Sequence, residues 1–220
     1  METGTASFSL LELFRMGGIT MWPLLAYSIA AVAITLERVI YLLYYHLKID
    51  DLGDKVSELL ANNDYKGAQE YLSDKTERKM GARVLLAMVK RASPEKGKFS
   101  EHLTEKAVET EAMDCINSLE KGFNFLVALG SLAPLTGFLG TVSGMIGAFR
   151  SIAEATEVNA QIVASGIYEA LITTVFGLIV AIVAMVAHAI LSSVVDHFSS
   201  NIEGTCSNLI ADIADRRSLE

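Results

Sequence analysis

Charged residues avoid three long stretches of this chain. There is none between Arg15 and Glu37, over MGGITMWPLLAYSIAAVAITL, and apolar character resumes after Glu37-Arg38 as VIYLLYYHL. There is again none between Lys121 and Arg150, over GFNFLVALGSLAPLTGFLGTVSGMIGAF. From Val158 to Val195 the one Asp, Glu, Lys or Arg is Glu169. Each stretch is long enough to cross a hydrocarbon core, which takes about 20 apolar residues. Inside lipid the backbone has to satisfy its own hydrogen bonds, so each stretch reads as a helix. The pattern therefore predicts an all-α membrane protein with transmembrane helices at 19–45, 124–149 and 162–188. Residues 1–18 form an N-terminal segment on the periplasmic side, in which FSLLELF at 8–14 is amphipathic and is expected either to lie along the membrane surface or to fray. No basic run precedes the first span, and Glu37-Arg38 stands where a small-residue cleavage site would fall, so that span is expected to be retained.

Segment 46–123 is predicted to be a cytoplasmic helical domain. DLGDKVSELLANN places Leu52, Val56, Leu59 and Leu60 at helical spacing. NNDYKGAQEYL reads as a turn and a second helix, and MGARVLLAMVKRA as a third that ends at Ser93-Pro94 and the KGK loop. From Phe99 a charged, proline-free run is expected to continue unbroken into the second span. Residues 150–161 are expected to form a short periplasmic loop. The third span is expected to continue as a cytoplasmic helix over 189–220, because Val195, Phe198, Ile202, Leu209 and Ile213 recur at helical steps and make a packing stripe. Two helices of about 50 residues would each be roughly 75 Å long.

Composition explains how this chain holds both oil and charge. It is 51% hydrophobic with a mean hydropathy of +0.38, yet 20% of its residues are charged, near the soluble norm of about 25%. Both hold because the charges are segregated outside the spans. Thirteen of the eighteen Lys and Arg residues lie from Lys48 to Lys121, and Arg216-Arg217 lie in the tail. The positive-inside rule then places the large loop and the C-terminus in the cytoplasm and the N-terminus outside. The net charge of −8 gives no support for nucleic-acid binding. Two cysteines, Cys115 and Cys206, rule out a disulfide framework and read as small packing residues. His46, His102, His188 and His197 are scattered without a second ligand at metal spacing, so no metal or cofactor is expected. His188 and His197 read as interfacial residues or as part of a proton exit. No nucleophile elbow, phosphate loop or zinc motif is present in the sequence, so no enzyme is expected.

Glu169 is the residue to explain. An ionisable group within a span is destabilising by several kcal/mol and is by default a functional candidate. It sits about 10 Å from the outer end of the third span by helical rise, deep for a carboxylate to reach headgroups. Thr173 and Thr174 follow it, and Thr141 stands in the antiparallel second span. Counted from the outer end, Thr141 falls about 12 Å deep and Thr174 about 18 Å, so polar groups from two facing helices cluster near the carboxyl. Threonine hydroxyls both donate and accept and can hold water there, although each alone can also bond back to its own helix. Gly137, Gly140, Gly144 and Gly147 form a one-sided small stripe on the second span, and Gly166, Ala170, Thr173, Gly177, Ala181 and Ala184 form another on the third. Such stripes let helix backbones approach closely in lipid. Pro134 is placed to bend the second span and free a carbonyl. Three spans cannot close a passage, so a pore requires several copies around an axis, with one Glu169 each. The competing reading is a non-conducting membrane scaffold in which the glycines only pack helices.

Three segments resemble the MotA/TolQ/ExbB proton channel family, most strongly ExbB and TolQ. They are MWPLLAYSIAAVAITLER at 21–38, APLTGFLGTVSGMIGAF at 133–149 and GIYEALITTVFGLIVAIVAMV at 166–186. Glu169 and Thr174 fall at the family's Glu and Thr positions and Thr141 at its pore threonine, while Ser143 stands where an aromatic is frequent. Three spans favour ExbB/TolQ over the four-span MotA branch. The resemblance implies a homo-pentamer in the bacterial inner membrane, surrounded by lipids, with a central pore. That pore would hold the single-span helices of an ExbD- or TolR-like partner, usually two. Proton flow, or sodium flow in a variant of the same device, would drive a TonB- or TolA-like protein for outer-membrane transport or envelope maintenance. Glu37-Arg38 would lie near the inner interface, pairing within or between subunits or anchoring the helix.

Overall fold

The computed structural model describes residues 14–45, 47–94, 99–154 and 160–218. These form, in chain order, α1 (Met21–Tyr44), α2 (Asp50–Ala61), α3 (Tyr65–Ser73), α4 (Met80–Ala92), α5 (Glu101–Leu119), α6 (Phe123–Glu154) and α7 (Ala160–Ser218), with no strand among the described residues. Helices α1, α6 and α7 are each long and apolar enough to cross a membrane, as the uncharged stretches predict. The amphipathic segment at 8–14 lies, save for Phe14, outside the described residues, as do His46 and most of the 94–98 loop.

Two expectations about helix ends are corrected. The charged helix does not run unbroken into the second span. It stops at Leu119, and Lys121-Gly122 form a turn before α6 begins at Phe123. Gly122 has φ 93°, a left-handed conformation that glycine adopts without a Cβ penalty, which is how helices commonly stop. At the other end α6 continues through Arg150 to Glu154, with an Arg150–Glu154 ion pair of 2.9 Å along the helix face, so part of the expected 150–161 loop is helical. Helix α7, by contrast, is continuous from Ala160 to Ser218, as the stripe of apolar residues required.

The chain divides into two compact units, Met1–Leu36 with Gly122–Ala189 and Glu37–Lys121 with Ile190–Glu220. The first holds most of α1, all of α6 and the first half of α7. Its core is Met21, Leu24, Ala133, Ile172, Val180 and Ala181, against which Phe14, Tyr27 and Phe176 pack. Most of the large apolar side chains of its spans remain exposed, among them Phe138, Phe149, Leu171 and Ile182, as suits a surface turned to lipid or to other helices.

The second unit packs α2–α5 around the last part of α7. Val195, Phe198, Ile202, Leu209 and Ile213 are all buried, and Cys206 completes the same face. Leu52, Val56, Leu72, Leu85 and Met88 of α2–α4 are buried as well. Asp64 caps α3 by accepting from Gly67 N at 2.8 Å, after a turn in which Asn63 takes φ 58°. Two arginines tie elements together. Arg38 is buried, pairs with its neighbour Glu37 at 2.5 Å, donates to Ser118 O at 3.1 Å and stacks over Tyr41. Arg217 donates to Ala92 O at 2.8 Å, and its guanidinium lies over the Tyr65 and Phe99 rings.

Both cysteines are buried, and their free thiols give this unit a pH dependence. Burial pushes Cys115 up to about 11 and Cys206 up to about 12 from the ordinary 9.0, with the Arg83 charge partly opposing at Cys115. As pH rises, the unfolded thiols ionise first, so this contribution to stability is complete below pH 9.0 and is lost as pH rises towards the folded values. The expected result is a falling unfolding midpoint above about pH 9, together with iodoacetamide labelling that tracks unfolding because the folded thiols hold little thiolate.

Candidate functional site

Helices α6 and α7 meet through their small residues. A Cβ on Gly177 would lie 2.6 Å from Ala133 O and 3.1 Å from Gly137 Cα, and one on Gly137 would lie 2.8 Å from Thr173 O. Gly144 similarly faces Ala170, and Gly166 faces Ala148. Backbone touches backbone along this seam, which is what a small stripe permits in lipid. Gly147 is different, since among the described residues nothing lies within 4 Å of its missing Cβ. Pro134 sits inside α6 without ending it. Lacking an N–H, it leaves the Gly130 carbonyl without its usual helical donor.

The close seam lets hydroxyls cross it. Thr174 Oγ1 donates to Gly137 O at 3.1 Å, and Thr173 Oγ1 is shared between Ala170 O at 2.8 Å and Gly137 O at 3.3 Å. Thr173 is buried and Thr174 half-buried. Thr141 Oγ1 bonds back to Phe138 O at 2.7 Å. Two of the three threonines thus stitch α7 to α6, and the third satisfies itself on its own helix.

Glu169 opens into a groove of about 330 Å³ between the turn before α1 and helices α6 and α7, lined also by Thr20, Ser143, Ser151, Ser165 and the bare backbone of Gly140, Gly144, Gly147 and Gly166. Its side chain is exposed in the single chain. The hydroxyls nearest this carboxyl's groove therefore come from serines and from Thr20, whereas Thr141 and Thr174 are engaged with carbonyls. Thr20 and Thr173 flank Gly140, Thr20 Oγ1 standing 2.9 Å from where a Cβ would be. At the groove's upper edge the turn Gly17–Gly18 lies against Glu169, and a Cβ on Gly18 would overlap Glu169 Oε1. A carboxyl with hydroxyl neighbours, in a groove with room for several waters along otherwise apolar helices, can take up and pass on a cation or proton.

Thr20, Ser151 and Ser165 were not singled out from the sequence. A signal lies in the Gly17-Gly18-Ile19-Thr20 turn just before the first span, but only folding brings that turn beside Glu169. Away from this groove, Glu37 and Arg38 pair with each other within one chain. His188 stacks edge-on against Phe123, and His197 bonds to Asn201. Among the described residues no group of His, Cys, Asp and Glu is arranged to hold a metal ion.

The model of the MotA/TolQ/ExbB proton channel family matches residues 75–204, more than half of the chain. The chain belongs to that family. Its relatives include the ExbB-like 1 biopolymer transport protein of Synechocystis, 34% identical over 203 residues, which are 87% of this chain and 75% of that protein. They also include biopolymer transport protein exbB1 of Vibrio cholerae, 27% identical over 90% of this chain and 85% of that one. The Tol-Pal system protein TolQ of Haemophilus influenzae is 29% identical, covering 86% of each chain. Within the MotA/TolQ/ExbB family the relationship is thus to ExbB and TolQ, in keeping with three candidate spans. This is a family of multi-pass membrane proteins that serve ion-driven transport, not a family of catalytic enzymes.

Proposed function

We propose that the chain is the pore-forming stator subunit of a proton-driven motor of the bacterial inner membrane, of the ExbB–ExbD or TolQ–TolR type. Five copies surround a central pore that holds an ExbD- or TolR-like single-span partner, taken as a dimer. Proton flow through Glu169 is converted into work on a TonB- or TolA-like protein. The N-terminus is periplasmic and the C-terminus cytoplasmic. The observation that carries this reading is the exposure of Glu169 in the single chain, within a groove whose other walls are mostly hydroxyls and bare backbone. Facing lipid, a carboxylate there would be destabilising by about 3 kcal/mol. Further copies and a partner in the pore remove that cost and turn the groove into a path. Thr174 and Thr173 hold the α6–α7 wall, and Thr141, bonded back to Phe138 O in the single chain, would have to turn to reach the path from α6. Glu37 and Arg38 close the inner end of the first span.

A second reading is sodium, favoured by the oxygen-rich lining of Thr20, Ser143, Ser151 and Ser165 beside the carboxyl. One experiment separates these readings. The chain is reconstituted in liposomes with an ExbD- or TolR-like single-span partner, and proton and sodium fluxes are followed separately. Proton flux that requires both subunits is the expected result. Sodium flux without proton flux assigns the sodium-driven stator, and no flux from an assembled complex leaves the scaffold. Thr174→Val keeps the side chain's shape and removes its donor to Gly137 O, a loss of about 1 kcal/mol. It is expected to assemble, to melt slightly earlier in detergent and to lose most ion-driven work.

A further inference from the structure

We infer that the turn before the first span, Gly17–Thr20, is a seat that positions the Glu169 carboxyl, with Gly18 as the positioning residue. The inference rests on the reading of Glu169 as the ion-carrying group. Gly18 has φ 67°, in the left-handed region where an L side chain is strained. A Cβ there would overlap Glu169 Oε1 and come within 3.1 Å of its Cδ. The carboxyl therefore rests directly on the Gly18 backbone. The turn is itself held. Met21 N donates to Gly18 O at 3.3 Å, Thr20 Oγ1 donates to Gly17 O at 3.3 Å, and Phe14 packs edge-on against Trp22 across it. Thr20 and Ile19 of the same turn line the groove that Glu169 opens into. The turn before the first span thus limits where the carboxyl can stand, and a displacement of that span moves the turn against it. Gly17 is the internal contrast. It is one residue away in the same turn and its φ is not positive, and its Cβ would press on the side chain of Met21, with Ile172 Cγ2 at 3.4 Å. Met21 is buried in the core, so a Cβ on Gly17 presses on packing there without touching the Glu169 carboxyl, whereas one on Gly18 forces the carboxyl itself to move.

The test uses the full chain co-produced with its single-span partner in membranes. Three readouts are followed: assembly by size, proton flux, and the rate at which dicyclohexylcarbodiimide labels Glu169. In assembled complexes Gly18→Ala is expected to change the labelling rate at least about fivefold and to lower flux at least about tenfold, as misplacing a reacting group by an ångström does. Gly17→Ala is expected to stay within about twofold on both. A wild-type labelling rate in Gly18→Ala, or an equal change in Gly17→Ala, overturns the inference. If Gly18→Ala does not assemble, Glu169→Ala is added to it. Recovery of assembly supports the seat, because the overlap has been removed, and failure to recover assigns the defect to backbone strain and overturns it. Glu169→Gln is run alongside. Flux retained there rejects the role of Glu169, while the labelling contrast between Gly18→Ala and Gly17→Ala still decides the seat.

Discussion

Glu169→Gln is expected to abolish ion-driven work in a complex that still assembles. The substitution keeps the shape of the side chain and removes only its ability to gain and lose a proton. The α6–α7 seam does not depend on this carboxyl, because it is closed by Gly137, Gly177, Thr173 and Thr174. The core of the same unit is apolar. Stability should therefore change little, and the neutral amide should if anything ease burial between copies. Flux should fall to the background of empty liposomes, a loss of at least about a hundredfold for removal of a group that acts in the transfer itself. Proton flux in liposomes, with assembly checked by size on the same sample, measures both halves of the expectation. Wild-type flux from an assembled Glu169→Gln complex would remove Glu169 from the mechanism. Loss of assembly instead would favour a scaffold role.

The second large effect is expected at Gly177→Leu. The Cβ alone would lie 2.6 Å from Ala133 O and 3.1 Å from Gly137 Cα, and both obstacles are backbone. A flexible neighbour could rotate away, but a helix has to move as a whole. Overpacking of this kind is destabilising by about 1–3 kcal/mol. Prising α7 from α6 also breaks the Thr174 and Thr173 bonds to Gly137 O, each contributing about 1 kcal/mol. A loss of roughly 3–5 kcal/mol is a large part of the stability of an ordinary domain, so folded protein should be scarce in detergent extracts. Gly147→Ala is the matched control. With no described residue within 4 Å it should be tolerated in the single chain, and the added methyl should slightly favour the helix. Thermal unfolding of both variants in detergent checks the contrast. A defect of Gly147→Ala confined to assembly would mark that position as a contact between copies.

The spans were legible because lipid imposes a rule that composition alone reveals: about 20 residues without charge, hydrogen-bonded within the segment. Glu169 stood out by the same rule, as the one charged residue in its span. The stripe from Val195 to Ile213 was legible because helical periodicity is local, and all five residues are buried. The turn at Lys121–Gly122 was missed for a related reason. A charged helix and an apolar helix on either side of one glycine look like one long helix until the glycine's φ is known, and at 93° it breaks the run.

By itself, then, the sequence determined an all-helical membrane protein of the MotA/TolQ/ExbB kind, with three spans, segregated charge and a carboxyl where lipid should forbid one. These are properties of single segments, set by hydropathy and helical period. Only the tertiary structure decided the company Glu169 keeps. Thr141 turned back to Phe138, Thr174 crossed to Gly137, Gly18 came against the carboxyl, and Thr20, Ser143 and Ser151 came to border the groove from other elements. Spacing along one helix cannot show which face of a distant helix will meet it. That depends on how closely two backbones approach, and here on the glycines of the α6–α7 seam and the left-handed turn at Gly18.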